Sequence, residues 1–165
     1  MAATAPDIRI RDASPDDVPA ILAMIKELAA FEREPDAVVA TETDLLRDGW
    51  GAEQRFSCRI GELDGAVQGF ALWFYSYSTW EGHAGIYLED LYVRPPARGC
   101  GLGERLVVDL ARIAVREGCR RLDLSVLEWN PARDFYRRLG VEHRADWLPY
   151  RVAGAALEAL AMRQC

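Results

Sequence analysis

The run 87–103, Y-L-E-D-L-Y-V-R-P-P-A-R-G-C-G-L-G, constrains the fold more than any other part of the chain. A strand-like apolar stretch carrying Glu89 and Asp90 stops at Pro95-Pro96, and Arg98-Gly99-Cys100-Gly101-Leu102-Gly103 then opens a helix. Glycines let successive backbone N–H groups converge, and a helix N-terminus favours negative charge, so this basic turn suits a phosphate or pyrophosphate. It is not a Walker loop, because no Gly-Lys-Ser/Thr follows the glycines. The dinucleotide fingerprint fits poorly as well. Gly99, Gly101 and Gly103 alternate strictly, and they lie in mid-chain instead of in a first strand–helix turn.

Around this turn the pattern predicts a mixed α/β chain. Residues 8–11 alternate as a short strand. Ser14-Pro15-Asp16-Asp17 reads as an N-cap with proline and acids in the first turn, followed by Val18, Ile21, Leu22, Ile25 and Leu28 at helical spacing. A second short helix is predicted over 41–48, stopped by Gly49. Strands at 56–60 and 67–75 flank an Asp64-Gly65 hairpin turn, residues 76–85 read as a loop, and 86–93 as the next strand. Leu102, Leu106, Leu110 and Ile113 predict an amphipathic helix ended by Gly118, and 122–126 a strand. Asn130-Pro131 starts a helix that Gly140 ends; 146–152 reads as a last strand and 155–162 as a closing helix. With no repeat or linker in view, residues 7–165 are expected to form one domain behind a disordered leader, 1–6.

Charge and cysteine usage narrow the function. A net charge of −6 opposes nucleic acid, which is held by cationic side chains. No apolar run approaches the roughly 20 residues that span a bilayer, and residues 1–6 lack the makings of a signal peptide, so a cytoplasmic protein with no membrane partner is expected. Cys58, Cys100, Cys119 and Cys165 show no C-x-x-C spacing, and His83 and His143 lie far apart; no metal site is expected.

The R-x-x-G-x-G turn after a strand resembles the pyrophosphate turn of the GNAT N-acetyltransferases. Within that family the chain is most similar to the spermidine/spermine N-acetyltransferases and their diamine and thialysine relatives. The similarity is carried by L-A-A-F-E at 28–32, D-L-L-R-D-G at 44–49, Y-L-E-D-L-Y-V at 87–93, V-L-E-W-N-P at 126–131, F-Y-R-R-L-G at 135–140 and D-W-L-P-Y-R at 146–151. It departs at one place: Asn130 and Tyr136 stand one position closer than in those relatives, shortening the intervening loop. The resemblance implies a single-domain α/β GNAT fold with a mostly antiparallel sheet, acetyl-CoA as co-substrate, a small cationic amine as acceptor and a homodimer. Acetylation of a protein or peptide amine or of an aminoglycoside, or coenzyme binding without turnover, stays open from the residues alone.

Acetyl transfer from a thioester to an ammonium needs a proton acceptor and a proton donor. Strand alternation puts Glu89 on one face with Tyr87, Leu91 and Val93, which predicts a desolvated carboxylate with a raised pKa. The resemblance makes it both substrate-binding and the relay for the amine's proton. Asp90 is expected on the opposite face, in a structural role as readily as in substrate contact, and is not counted as catalytic. Tyr136 stands where the family places its acid; a phenol of pKa about 10 can hydrogen-bond or protonate a thiolate whose conjugate acid lies near about 8.5.

For the coenzyme, the resemblance assigns the backbone of Leu91, Tyr92 and Val93 to the pantetheine arm and Arg98, Gly99, Cys100, Gly101, Leu102 and Gly103 to the pyrophosphate. Glu104, Asn130, Arg133 and Tyr136 complete that set. Phe31, Glu32, Asp146 and Trp147 are expected at the substrate end, where acids and aromatic rings suit an alkyl ammonium. Trp129 reads as core. Cys100, at a helix start but with no base nearby, is not read as a nucleophile.

Overall fold

The computed structural model describes residues 6–163; the expected leader lies outside the described residues except for Pro6. Strands β1 (Ile8–Asp12), β2 (Ser57–Leu63), β3 (Ala66–Ser78), β4 (His83–Val93) and β5 (Leu122–Leu124) form one sheet in chain order. The first four pair antiparallel and β5 runs parallel to β4. The helices are α1 (Val18–Phe31), α2 (Glu42–Trp50), α3 (Leu102–Arg116), α4 (Ala132–Arg138) and α5 (Ala155–Ala161). The chain divides into two compact units that meet in sequence between Asn130 and Pro131.

In the first unit the sheet separates two apolar layers. Val18, Ile21, Leu22 and Met24 of α1 and Leu45 of α2 pack on Ile60, Phe70, Leu72 and Tyr92. On the other face Leu106, Leu110 and Ile113 of α3 pack on Ala71, Trp73, Ile86 and Leu88. The predicted Ser14 cap is present, but it closes a 3-10 turn, Pro15–Asp17, that leads into α1: Asp17 accepts from the Ser14 N–H at 2.8 Å and from both Arg11 Nη atoms at 2.7 and 2.8 Å.

Several boundaries differ from the expected ones. Helix α2 continues through Gly49 and stops at Gly51. Gly49 is small for packing: a Cβ there would stand 2.9 Å from the Phe56 ring. The expected loop 76–85 is mostly ladder, with Ser76, Tyr77 and Ser78 paired to Gly85, Ala84 and His83, leaving a turn at Gly82 (φ 66°). Strand β5 ends at Leu124, before Val126.

In the second unit α4 ends at Gly140 in the left-handed conformation (φ 80°), as the sequence predicts. The expected strand 146–152 does not form. Pro149 removes a backbone donor inside it, and no described strand pairs with it. No described residue of this unit is buried, and every described residue from 142 onward is exposed, including Trp147, Leu148, Tyr150, Leu157, Leu160 and Met162. No described helix is long and apolar enough to cross a membrane.

Candidate active site

The site begins with a defect in the β3–β4 ladder. Leu72 pairs with Asp90 but Trp73 pairs with Leu88, so Glu89 is an extra residue, a β-bulge. A bulge shifts side-chain alternation by one. Ala84, Ile86 and Leu88 face α3 before it; Leu91 and Val93 face α3 after it. Asp90, opposite Leu72, and Tyr92, opposite Phe70, therefore turn toward α1.

This corrects the expected environment of Glu89. Strict alternation would shelter it between Tyr87 and Leu91; the bulge leaves it exposed instead. The sheltered carboxylate is Asp90. Burial, followed by the charges of Glu89 and Glu32, pushes its pKa up from 3.8 to about 6. Among the described residues neither a cation nor a side-chain donor pairs with Asp90. Glu32, the residue that ends α1, is also raised by burial.

The bulge also coincides with the end of the parallel ladder. Strand β5 accompanies β4 only from Ile86 to Leu88. Beyond that point Leu91, Tyr92 and Val93 keep β3 on one side, with no described strand on the other. Five residues after Val93 the chain enters the basic turn at Arg98, where Gly99 (φ 80°) and Gly101 (φ 92°) are left-handed and a Cβ at either would meet nothing within 4 Å. Gly101 is the N-cap of α3 and no side chain caps the helix, so the first-turn amides of Leu102, Gly103 and Glu104 have no intrahelical acceptor. Open space, convergent amides and a free sheet edge fit a pyrophosphate-bearing coenzyme. Glu104 is exposed, and its carboxylate would repel a phosphate, which limits its part to the backbone N–H.

Other expected residues are placed as follows. Arg98 Nε donates to the Val93 carbonyl at 2.9 Å, and its guanidinium lies 5.5 Å from the Phe31 ring and 5.6 Å from that of Tyr92. Cys100 points its thiol at the Ala97 carbonyl, 3.0 Å away, and not into the turn. Leu102 is buried against the sheet and offers only its backbone. Phe31 is partly exposed with its centroid 5.9 Å from that of Trp129. Trp129 is thus a rim residue, not core, and Arg33 stacks over it at 4.3 Å. Asn130 is buried at the end of the first unit. In the second unit Arg133 and Tyr136 are half-buried on α4, and Tyr136 meets Phe135 edge-on at 5.1 Å. Asp146 lies in a turn, and Trp147 beside it is exposed. A separate groove between β1 and α3, lined by Ile8, Ile10, Arg105, Val108 and Arg112, reaches this region only at Gly101 and Glu104 and contains none of the three acids.

The model of the acetyltransferase (GNAT) family matches residues 22–141, most of the chain and all of the β4–turn–α3 unit. The chain belongs to the GNAT acetyltransferase family. It is 38% identical to the thialysine N-epsilon-acetyltransferase of Bos taurus over 166 residues, covering 93% of this chain and 97% of that one. It is also 39% identical to the spermidine/spermine N(1)-acetyltransferase-like protein 1 of Homo sapiens over 131 residues, covering 75% of this chain and 19% of that protein. Among solved structures, an integron cassette protein from the mobile metagenome of V. cholerae superposes with a TM-score of 0.79 at 26% identity, covering 94% and 98% of the two chains. The family match and the five-stranded mixed sheet with flanking helices establish the α/β GNAT fold and place the chain among the diamine/polyamine-like N-acetyltransferases.

Asp90, Trp129 and Arg33 are the residues that strand and helix periodicity missed. The local signal near Asp90 is the L-E-D triplet, since unbroken alternation would put one of two adjacent acids on each covered face; which residue a bulge adds is set by pairing with β3.

Proposed function

We propose that the chain transfers acetyl from acetyl-CoA to a primary amine of a small cation, of the polyamine, diamine or thialysine-like class. The observation that carries this reading is the β4 bulge. It presents an unpaired, sheltered Asp90 and an exposed Glu89 where the sheet edge opens, a short stretch upstream of an anion-receiving turn.

Acetyl-CoA would supply an activated thioester. The chain's own part is to hold and orient. The peptide groups of Leu91, Tyr92 and Val93 offer an unpaired edge to the pantetheine arm. Arg98 and the backbone of Gly99, Cys100, Gly101, Leu102, Gly103 and Glu104 receive the pyrophosphate, with Asn130 and Arg133 as further contacts.

At the acceptor end Glu32, Glu89 and Asp90 attract the ammonium, and Phe31 and Trp147 add aromatic surface, with Asp146 a further acid. An alkyl ammonium has a pKa near about 10.4 and must lose a proton before its nitrogen can attack. Glu89, open to water, relays that proton; Asp90, a sheltered carboxylate with its pKa raised to about 6, is mostly ionised near neutral pH and gains a counter-ion when the amine arrives. Tyr136 gives its phenolic proton to the departing sulfur. With both substrates held together the attack is direct, in a ternary complex, and no residue of the chain is acylated.

The chain acts as a homodimer in this reading. The number of large apolar side chains exposed in the second unit, among them Trp147, Leu148, Tyr150, Leu157, Leu160 and Met162, supports it, since a partner surface would cover them. Thiol release from acetyl-CoA against a panel of amines tests the function. The expected result is release with small diamines or ω-amino amino acids. Release only with peptides or aminoglycosides, or coenzyme binding without release, would replace it.

A further inference from the structure

The acceptor end carries a cation as well as acids. Arg33 follows Glu32 at the end of α1 and takes the left-handed conformation (φ 68°), a position that glycine fits better than any branched or long side chain. The turn is closed by the Glu34 N–H on the Ala29 carbonyl at 2.9 Å, which fixes where the Arg33 side chain leaves the backbone. Its guanidinium rests 4.3 Å from the Trp129 ring, and Trp129 in turn meets Phe31. The side chain is exposed, and among the described residues no carboxylate is paired with it. The end of α1 therefore holds Glu32, whose charge acts on Asp90, next to a guanidinium seated on the Trp129 ring, with Phe31 packed on the same ring.

Resting on the proposed function, we propose that Arg33 binds the α-carboxylate of an amino-acid acceptor whose side-chain ammonium faces Asp90 and Glu89. The site then selects ω-amino amino acids over polyamines and simple diamines. The acids and the guanidinium are opposite in charge, as are the two ends of such a zwitterion, and the Phe31–Trp129 pair offers apolar surface to its aliphatic chain. A diamine or polyamine has a second ammonium where the amino acid has its carboxylate, and Arg33 repels it. Selection thus comes from attraction of one class and repulsion of the other. Arg98, whose guanidinium lies near Phe31, is committed to the Val93 carbonyl and to the coenzyme turn. A planar fork stacked on an aromatic ring donates well to a carboxylate because little freedom remains to be lost on binding.

The test compares kcat/KM for ornithine with that for putrescine, the diamine left when its carboxylate is removed, in the full-length protein and in Arg33→Met and Arg33→Lys. Methionine keeps the stem over Trp129 and removes the charge; lysine keeps the charge. The unaltered protein should prefer ornithine. Arg33→Met should lower kcat/KM for ornithine about tenfold or more, mainly through KM, while leaving putrescine unchanged or improved. Arg33→Lys should retain much of the preference. A preference for putrescine in the unaltered protein, or an equal effect of Arg33→Met on both compounds, overturns the inference while the acetyltransferase reading stands. Acetylation of neither compound defeats both.

Discussion

The corner between β1 and α1 and the bulge in β4 each shelter an aspartate from water, and the two titrate in opposite directions. Asp17 is held by both Nη atoms of Arg11 and by the Ser14 N–H, and its pKa falls to about 2. Among the described residues neither a cation nor a side-chain donor pairs with Asp90, and its pKa rises to about 6. The first carboxylate completes the fold: it caps a helix start and ties it to the first strand, and Arg11 continues the tie to Glu62 at 2.7 Å. The second is left incomplete by the fold, in the one place where a cationic substrate is expected. A sheltered charge is destabilising until it is paired, so the contrast separates an acid that serves stability from one that serves binding.

The largest effect that should expose the contrast comes from the paired site. Asp17→Ala should destabilise the chain by about 3 kcal/mol or more, because it leaves Arg11 half-paired and opens the capping box of the turn that leads into α1. Denaturant unfolding measures this, and acetylation per folded molecule should be unchanged. A loss of under about 0.5 kcal/mol would mean that Asp17 is not structural.

Next comes Tyr136→Phe, which should lower turnover by about 10²-fold, leaving coenzyme affinity and the amine KM nearly unaltered. The phenol acts on the sulfur, and the bulge acts on the amine. An amine KM that rises with this substitution would blur the division of labour.

Asp90→Asn should do the reverse of Asp17→Ala. It should stabilise the chain near neutral pH by about 1–3 kcal/mol and weaken cationic acceptors. The pH dependence has the matching signs. Asp17 lies below its ordinary value, so its contribution is present above about 3.8 and is lost as pH falls toward about 2. Asp90 lies above 3.8, so the native chain holds a proton that the unfolded chain has released, and its penalty grows as pH rises from about 4 through about 6. Melting temperatures of the Asp90→Asn and unaltered chains should therefore converge near pH 4 and separate near pH 7. The smallest effect is expected from Glu89→Gln, a change at an exposed side chain. It should weaken cationic amines and alter the pH–rate profile without changing the melting temperature.

Much of the fold was legible in the sequence because its signals are local. The Ser14–Asp17 cap, the Asp64-Gly65 hairpin, the α3 stripe of Leu106, Leu110 and Ile113 and the Gly140 stop are each written within a few residues, and the structure has all of them. The glycine-rich turn was legible for the same reason. What the sequence hid depends on pairing. The bulge is a mismatch between β3 and β4, and no property of residues 86–93 alone shows which of them is extra. Missing it exchanged the surroundings of Glu89 and Asp90. Trp129 and Arg33 are brought together by the end of α1 and the loop after β5, distant in sequence, so helical and strand periods carry no trace of the contact. Residues 146–152 read as a strand because Leu148, Tyr150 and Val152 alternate, but alternation does not supply a neighbouring strand to pair with.

The most direct test is an NMR titration of the Asp90 side-chain carboxyl, with coenzyme present, in the absence and presence of a saturating ω-amino acceptor. The unliganded protein should give a pKa near 6, falling below the ordinary aspartate range once the ammonium is bound. An Asp90 that titrates near 3.8 on its own, or does not respond to the amine, would contradict the role assigned to the bulge.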